Sequence, residues 1–313
     1  MMVSLEKSET QTGTALVTAL LIVALASVIA TAMLKQQHID IRRAENVIQG
    51  DQTTLYLKAG ENWVKQILFN DRLEGKVDSL NDKWAKIGES IDIDKGSIQI
   101  SVEDLQGRFN LNNLLDKEGL PSELDVRQFR TLLVALELDA ELAQPVIDWM
   151  DADINISLPT GAEDQEYLAL ETPYRSANAP FVSTSELMLV KGFSRKDFIK
   201  LAPYISALPD RVEINVNTAT IPVLAAALEI SLVEAEDIVN NRPEQGYQDI
   251  ATFRGEQALA GKTISGIGVE SKFFMARVIV GLGRYNASQH SVIARDNSGE
   301  SLPLVIQRSR ADI

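Results

Sequence analysis

The sequence predicts an α+β protein: a long N-terminal helix packed on a small antiparallel sheet, with a large all-helical domain inserted into that sheet. Three observations carry this reading. The first seventy-odd residues lack proline and hold a continuous uncharged apolar run at 15–34. Strand-like alternation occurs at residues 97–102 and returns near the C-terminus. Between the two, most segments show helical spacing, so one sheet is interrupted by a helical block.

The N-terminal element comes first. Residues 15–34 read ALVTALLIVALASVIATAML, with no charge. At about 1.5 Å per residue this run reaches roughly 30 Å, the thickness of a bilayer core. A buried core helix is seldom apolar on every face. The run is too long for the apolar part of an ordinary signal peptide, and no A-x-A pattern follows it directly. Residues 14–34 are therefore expected to anchor the chain in a membrane. Residues 35–70 continue the helix, with Ala44, Val47, Ile48, Leu55, Ala59, Trp63 and Ile67 at three-, four- and seven-residue steps. That stripe is expected to pack on the soluble domain, and Asn70, Asp71 and Gly75 to end the rod. Lys35, Arg42 and Arg43 flank the outer end, whereas the leader offers only Lys7 beside Glu6 and Glu9. Taken alone, the positive-inside rule would put the ectodomain in the cytoplasm.

In the ectodomain, Ile98, Ile100 and Val102 alternate with Ser97, Gln99 and Ser101, a half-buried strand. A turn-rich segment follows, with Gly107 as its bend. Phe129, Leu132, Leu133 and Leu136 have helical spacing, as do Leu142, Val146, Ile147 and Met150. Further helices are expected from Ser185, over residues 224–228 and over 233–239. Residues 274–282, 291–294 and 304–307 are β-rich, with Asn297-Ser298-Gly299 as a turn. The division expected is a sheet domain from 71–115 and 272–313, and an inserted helical domain over 116–271.

Composition narrows the function. Thirty basic residues face 44 acidic ones, for a net charge of −14. No local basic patch offsets this surface, which repels a phosphate backbone. With no cysteine, disulfides and thiolate metal sites are excluded. The only histidines are His38 and His290, and neither a G-x-S-x-G elbow nor a P-loop is present. Asp151 and Asp153 stand two apart, a spacing that serves metal ligation or solvation more than acid–base work. The expectation is a protein without catalytic activity.

Asp151-Ala-Asp153-Ile-Asn155 opens like a calcium loop, D-x-D-x-N. The EF-hand pattern then stops, because its sixth position is Ile156 and its twelfth Ala162. Glu163 and Asp164 come just after. From the residues alone, the segment reads either as a solvated acidic loop or as a different oxygen cage.

The chain resembles the K-type minor pseudopilins of bacterial type II secretion. The resemblance rests on Gly13 followed at once by the apolar span, and on DLQGRFNLNNL at 104–114, DWMDAD at 148–153 and GAEDQEYLAL at 161–170. PYRSAN at 173–178, SELMLVKG at 185–192 and INVNTA at 214–219 complete the set. It implies a pilin-like fold whose insert is SAM-like, or helix-hairpin-helix-like. It also implies removal of a leader, residues 1–13, by a prepilin peptidase cutting between Gly13 and Thr14, and methylation. Family leaders are short and basic; this one is acidic and polar. Most pseudopilins carry a glutamate at the fifth position after the cut, here Thr18, and K-type members typically lack it. An intramembrane carboxylate is costly unless paired, so its absence suits a subunit at a filament end; read without the family, Thr18 is one more tolerated residue in a span. The resemblance further implies calcium binding in the insert, with Asp151, Asp153, Glu163 and Asp164 as ligands ahead of Asn155 and Asp148. The implied partners are I- and J-type minor pseudopilins in a tip complex, the major pseudopilin and secreted substrates. The implied setting is the bacterial inner membrane, crossed once, with the ectodomain in the periplasm, aiding export of folded proteins. The alternative is a membrane-anchored DNA-uptake receptor, since residues 214–240 resemble a helix-hairpin-helix. Its hairpin here reads Leu228-Glu229-Ile230-Ser231, without the glycines of a phosphate grip.

Overall fold

The computed structural model describes residues 11–262 and 264–312. Helix α1, Gln11–Glu74, is a single 64-residue rod, roughly 95 Å long at about 1.5 Å per residue. No proline precedes Pro121 to break it. Every side chain from Gly13 to Ile48 is exposed. The rod runs one turn beyond the expected end at residue 70, because Asp71 and Arg72 are held in tertiary contacts. Arg72 donates to the Asn297 carbonyl and pairs with Glu270.

Five of the described strands form one antiparallel sheet in the order β1-β2-β7-β8-β9. They are β1 Ser90–Ile93, β2 Gly96–Asp104, β7 Phe273–Leu282, β8 Tyr285–Ala294 and β9 Leu304–Asp312. As the alternation predicts, Ile98, Ile100 and Val102 point inward, packing with Phe274, Val278 and Val280 against Leu57, Val64 and Leu68 of α1. Trp84 closes this core edge-on to Phe274 at 5.2 Å. Strand β1, absent from the sequence reading, is held by a hairpin in which Lys95 takes the left-handed conformation.

The face that α1 buries differs from the expected one. Leu55 and Trp63 of the expected stripe are exposed, as are Val47 and Ile48, and only Ile67 is half-buried. Facing the sheet instead are Thr53, Leu57, Gly60, Glu61, Val64 and Leu68. Gly60 allows the close approach: a Cβ there would stand 2.8 Å from a methyl of Val278. Glu61 is tolerated because Arg308 grips it through two nitrogens at 2.7 and 2.8 Å, with Gln289 and Ser291 also donating. Burial alone would raise the Glu61 carboxyl, but Arg308 and Ser291 hold it below the usual range. The rod thus carries two apolar faces, of which the sheet uses one.

Between β2 and β7 the chain builds the insert from short elements. They are β3 Phe109–Asn110, α2 Glu123–Ala135, α3 Ala143–Met150, α4 Asp164–Leu168 and α5 Arg195–Leu201. Then come β4 Ile205–Ser206, β5 Ile214–Asn215, α6 Ile221–Leu228, α7 Leu232–Asn240, α8 Ile250–Phe253 and β6 Ile267–Gly268. The helix expected from Ser185 is a 3-10 helix, Thr184–Leu189, capped by Ser183 and Glu186. The insert also starts earlier than residue 116. Phe109, Leu111 and Leu114 belong to its core, and Phe109 stacks on Phe129 at 5.3 Å. Asparagine side chains cause this. Asn112 bonds the Phe181 and Leu208 carbonyls, and Asn113 that of Val212, so the segment after Asp104 is fastened to the insert.

The chain leaves the sheet at Asp104 and re-enters it at Phe273, neighbours across the β2–β7 pairing. That edge of the sheet meets the last turn of α1, where Arg295 binds Asp71. The opposite edge, at Gly283, lies beside Gln49. The insert therefore emerges at the end of the rod farthest from the apolar span. Asp104 secures the junction, accepting hydrogen bonds from Asn215, Thr218 and Ser271.

Candidate assembly helix and cation site

The apolar span begins at Gly13 and is long and apolar enough to cross a membrane. Gly13 and Thr14 lie within α1, while the first ten residues of the expected leader fall outside the described residues. Thr18 directs its hydroxyl back along the helix, donating to the carbonyls of Thr14 and Ala15 at 3.0 Å. It brings no charge into the span. Beyond the span, Ile41, Ile48 and Leu55 repeat at seven-residue steps, with Val47 beside them and Trp63 further on, all exposed. A seven-residue apolar seam is suited to a helical neighbour.

The acidic segment has a defined shape. Asp148 lies in α3, Asp151 caps its C-terminal end, and Glu163 caps α4, reciprocated by Glu166. Gly161 makes the fold-back possible, since a Cβ there would stand 2.1 Å from Asp148 Oδ2 and 2.4 Å from the Ser157 carbonyl. One carboxylate oxygen each from Asp151, Asp153 and Glu163 lies within 4.8 Å of the others. Asp164 is not brought to them. It accepts from the Ser176 amide and hydroxyl, both at 3.1 Å, and faces Arg175 at 3.7 Å. Asp148, ranked lower from the sequence, is fully buried and accepts from the Ser157 amide at 3.0 Å. Asn155 is exposed, and its amide donates to Asp153.

Among the described residues, Asp148 Oδ1, Asp151 Oδ1 and Glu163 Oε1 are buried without a hydrogen-bond partner. Orphaned carboxylate oxygens are costly unless a proton or cation meets them. Burial raises Asp151 to about 6, helped by Asp153 and Asp148. Burial likewise raises Glu163 to about 7, with Asp151, Asp148 and Asp153 adding repulsion. An all-oxygen donor set, crowded with negative charge and partly open, fits a hard divalent cation such as calcium.

The helix pair α6–α7 turns through Glu229, which takes the left-handed conformation, and Ser231, which caps α7 with Glu234. Glu229 pairs with Arg127 at 3.2 Å. An acid therefore occupies the hairpin where a phosphate grip would need open backbone amides.

A rod with an apolar first half, a sheet seated on its second half and a bulky insert define a pilin-like assembly subunit with a membrane-type anchor. Two family models, both described as type II secretion system protein K, match residues 107–210 and 214–271, together just over half the chain. Type II secretion system protein K of Pseudomonas aeruginosa is 35% identical over 303 residues, covering 93% of this chain and 90% of the relative. The Aeromonas hydrophila protein of that name is 32% identical, covering 94% and 96%. Among solved structures, the GspK–GspI–GspJ complex of the enterotoxigenic Escherichia coli type 2 secretion system contains a chain matching with a TM-score of 0.77. That chain is 25% identical, and the match covers 86% of this protein and 99% of it. The chain belongs to the type II secretion system protein K family, the K-type minor pseudopilins.

Proposed function

We propose that this protein is the tip subunit of a type II secretion pseudopilus, anchored once in the bacterial inner membrane with its ectodomain in the periplasm. It acts by assembly and performs no chemistry. The observation that carries this reading is the placement of the insert. It emerges at the end of α1 opposite the apolar span, so the bulkiest part of the subunit sits where the next subunit would have to stack. Thr18, with its hydroxyl satisfied by its own helix, offers no carboxylate to a neighbouring N-terminal ammonium. This supports a subunit that others hold from below.

The partners are I- and J-type minor pseudopilins, as in the complex formed by the structural relative, then the major pseudopilin and, at the exposed insert, secreted proteins. The neighbour's helix takes the face bearing Ile48 and Leu55. Calcium is held by Asp151, Asp153 and Glu163, with Asp148 as the fourth carboxylate, and stiffens the loop between α3 and α4. Among the carboxylates named for this role from the sequence, Asp164 instead fixes Ser176. Nucleic acid is not a partner. Co-purification of the full-length chain with I- and J-type subunits from detergent extracts tests this reading. Recovery of the complex from the wild type and its loss in Ile48→Asp/Leu55→Asp is expected. Equal recovery of both, or tight DNA binding at low salt, overturns it.

A further inference from the structure

A second group of carboxylates lies at the junction of rod, sheet and insert, away from the α3–α4 loop. Asp71 belongs to the end of α1, while Asp78 and Asp82 follow in the loop before β1. One carboxylate oxygen of each lies within 4.8 Å of the others. Arg295, just after β8, is buried among them. It donates to Asp71 Oδ2 at 3.1 Å, to Asp78 Oδ2 at 2.5 Å and to the Ser271 carbonyl at 2.7 Å. That guanidinium explains part of the cluster but does not balance it. Three carboxylates against one cation leave two negative charges, and the buried Asp104 adds to the repulsion on Asp78.

The oxygens are unequally used. Asp82 accepts from the Ser79 amide and hydroxyl and from the Trp84 indole at 3.2 Å. Asp78 has a side chain only 1% exposed. Its Oδ2 is taken by Arg295 and by the Ser271 amide at 2.7 Å. Its Oδ1 has no hydrogen-bond partner among the described residues. A closed carboxylate oxygen with nothing donating to it calls for a proton, a water or a cation beside it.

We propose that Asp71, Asp78 and Asp82 form a divalent-cation site of the calcium class, with Arg295 as its fixed internal counter-charge. The donors are all oxygens, two negative charges remain for the ion to neutralise, and Asp71 and Asp82 are partly exposed, which leaves room for water in a calcium shell. The ion fastens three pieces. Asp71 brings the last turn of the rod and Asp82 the loop that seats Trp84. Asp78 brings the return of the insert, through Ser271 and through its own amide bonded to the Val269 carbonyl. Bound there, the cation fixes the angle at which the insert stands on the rod.

The test uses full-length protein in detergent, in an Asp151→Asn/Glu163→Gln background that disables the α3–α4 loop, so the two sites fail separately. Terbium is the probe, because the Trp84 indole touches Asp82 and can sensitise its emission. Saturable emission displaced by calcium is expected. Asp82→Asn should weaken terbium binding by about tenfold or more, since carboxylate count sets affinity over decades. Trp84→Phe should lose emission while calcium binding by calorimetry persists. Asp71→Asn serves if Asp82→Asn does not fold, as judged by circular dichroism. No saturable emission in the background, or emission unchanged in the folded aspartate variant, assigns the vacant oxygen to a proton and overturns the proposal.

Discussion

Removing one charge from the α3–α4 loop should stabilise the calcium-free protein, and only at higher pH. Glu163 has its carboxyl raised from 4.5 to about 7, by burial first and then by Asp151, Asp148 and Asp153. A raised carboxyl means the native state holds its proton where the unfolded state has released it. Stability therefore falls as pH rises from about 4.5 to about 7 and stays low above that. Each unit is worth about 1.4 kcal/mol, so the penalty at pH 8 is on the order of 3 kcal/mol. Glu163→Gln removes it. At roughly 2–4 °C per kcal/mol, the calcium-free variant should melt about 6–12 °C above the calcium-free wild type at pH 8, and close to it at pH 4.5. Calcium at a thousand times its dissociation constant should reverse the order, since it then contributes about 4.1 kcal/mol to the wild type alone. Differential scanning fluorimetry from pH 4.5 to 8, with chelator and with calcium, reads all four curves. Parallel pH profiles for the two proteins, or equal calcium shifts in both, would rule out Glu163 as the source of the effect.

Gly161→Ala should weaken calcium binding by calorimetry at least as much as Asp153→Asn, because its methyl would overlap Asp148 Oδ2. Gly60→Ala should lower stability by about 1–3 kcal/mol in denaturant titration, since its Cβ would press on Val278 and Ile100 in a filled core. Glu61→Ala should cost about 1–3 kcal/mol by the same titration, leaving Gln289 and Ser291 buried without their acceptor. Ile48→Asp/Leu55→Asp should change stability by less than about 0.5 kcal/mol, as both sites are exposed, while abolishing recovery of partner pseudopilins.

The rod and the strand at 97–102 were legible because both rest on local periodicity. The face of α1 was not. Leu55, Ala59 and Trp63 form the more apolar stripe, yet the sheet takes Gly60 and Glu61, whose reasons are a methyl of Val278 and the guanidinium of Arg308, far along the chain. The start of the insert was missed because side-chain amides of Asn112 and Asn113 decide it, through carbonyls some seventy to a hundred residues away. In the acidic loop, spacing marks Asp151 and Asp153 as a calcium-like opening, and the resemblance adds Glu163, whose carboxylate lies within 4.8 Å of theirs. Asp148 ranks below them in the resemblance, and the fold-back at Gly161 lays the Ser157 amide on its buried carboxylate. Asp164 looked equivalent to Glu163, but the turn of α4 sends it to Ser176. The Asp71, Asp78 and Asp82 group left no sequence trace, because the end of a helix and a loop had to converge on Arg295.

A subunit whose insert stands at the far end of its rod belongs where stacking stops. Gold labelling of an epitope on the insert, viewed by electron microscopy on pseudopili drawn from cells, reads that position directly. Label at one end of each filament is the predicted result, and label spaced along the shaft would contradict it.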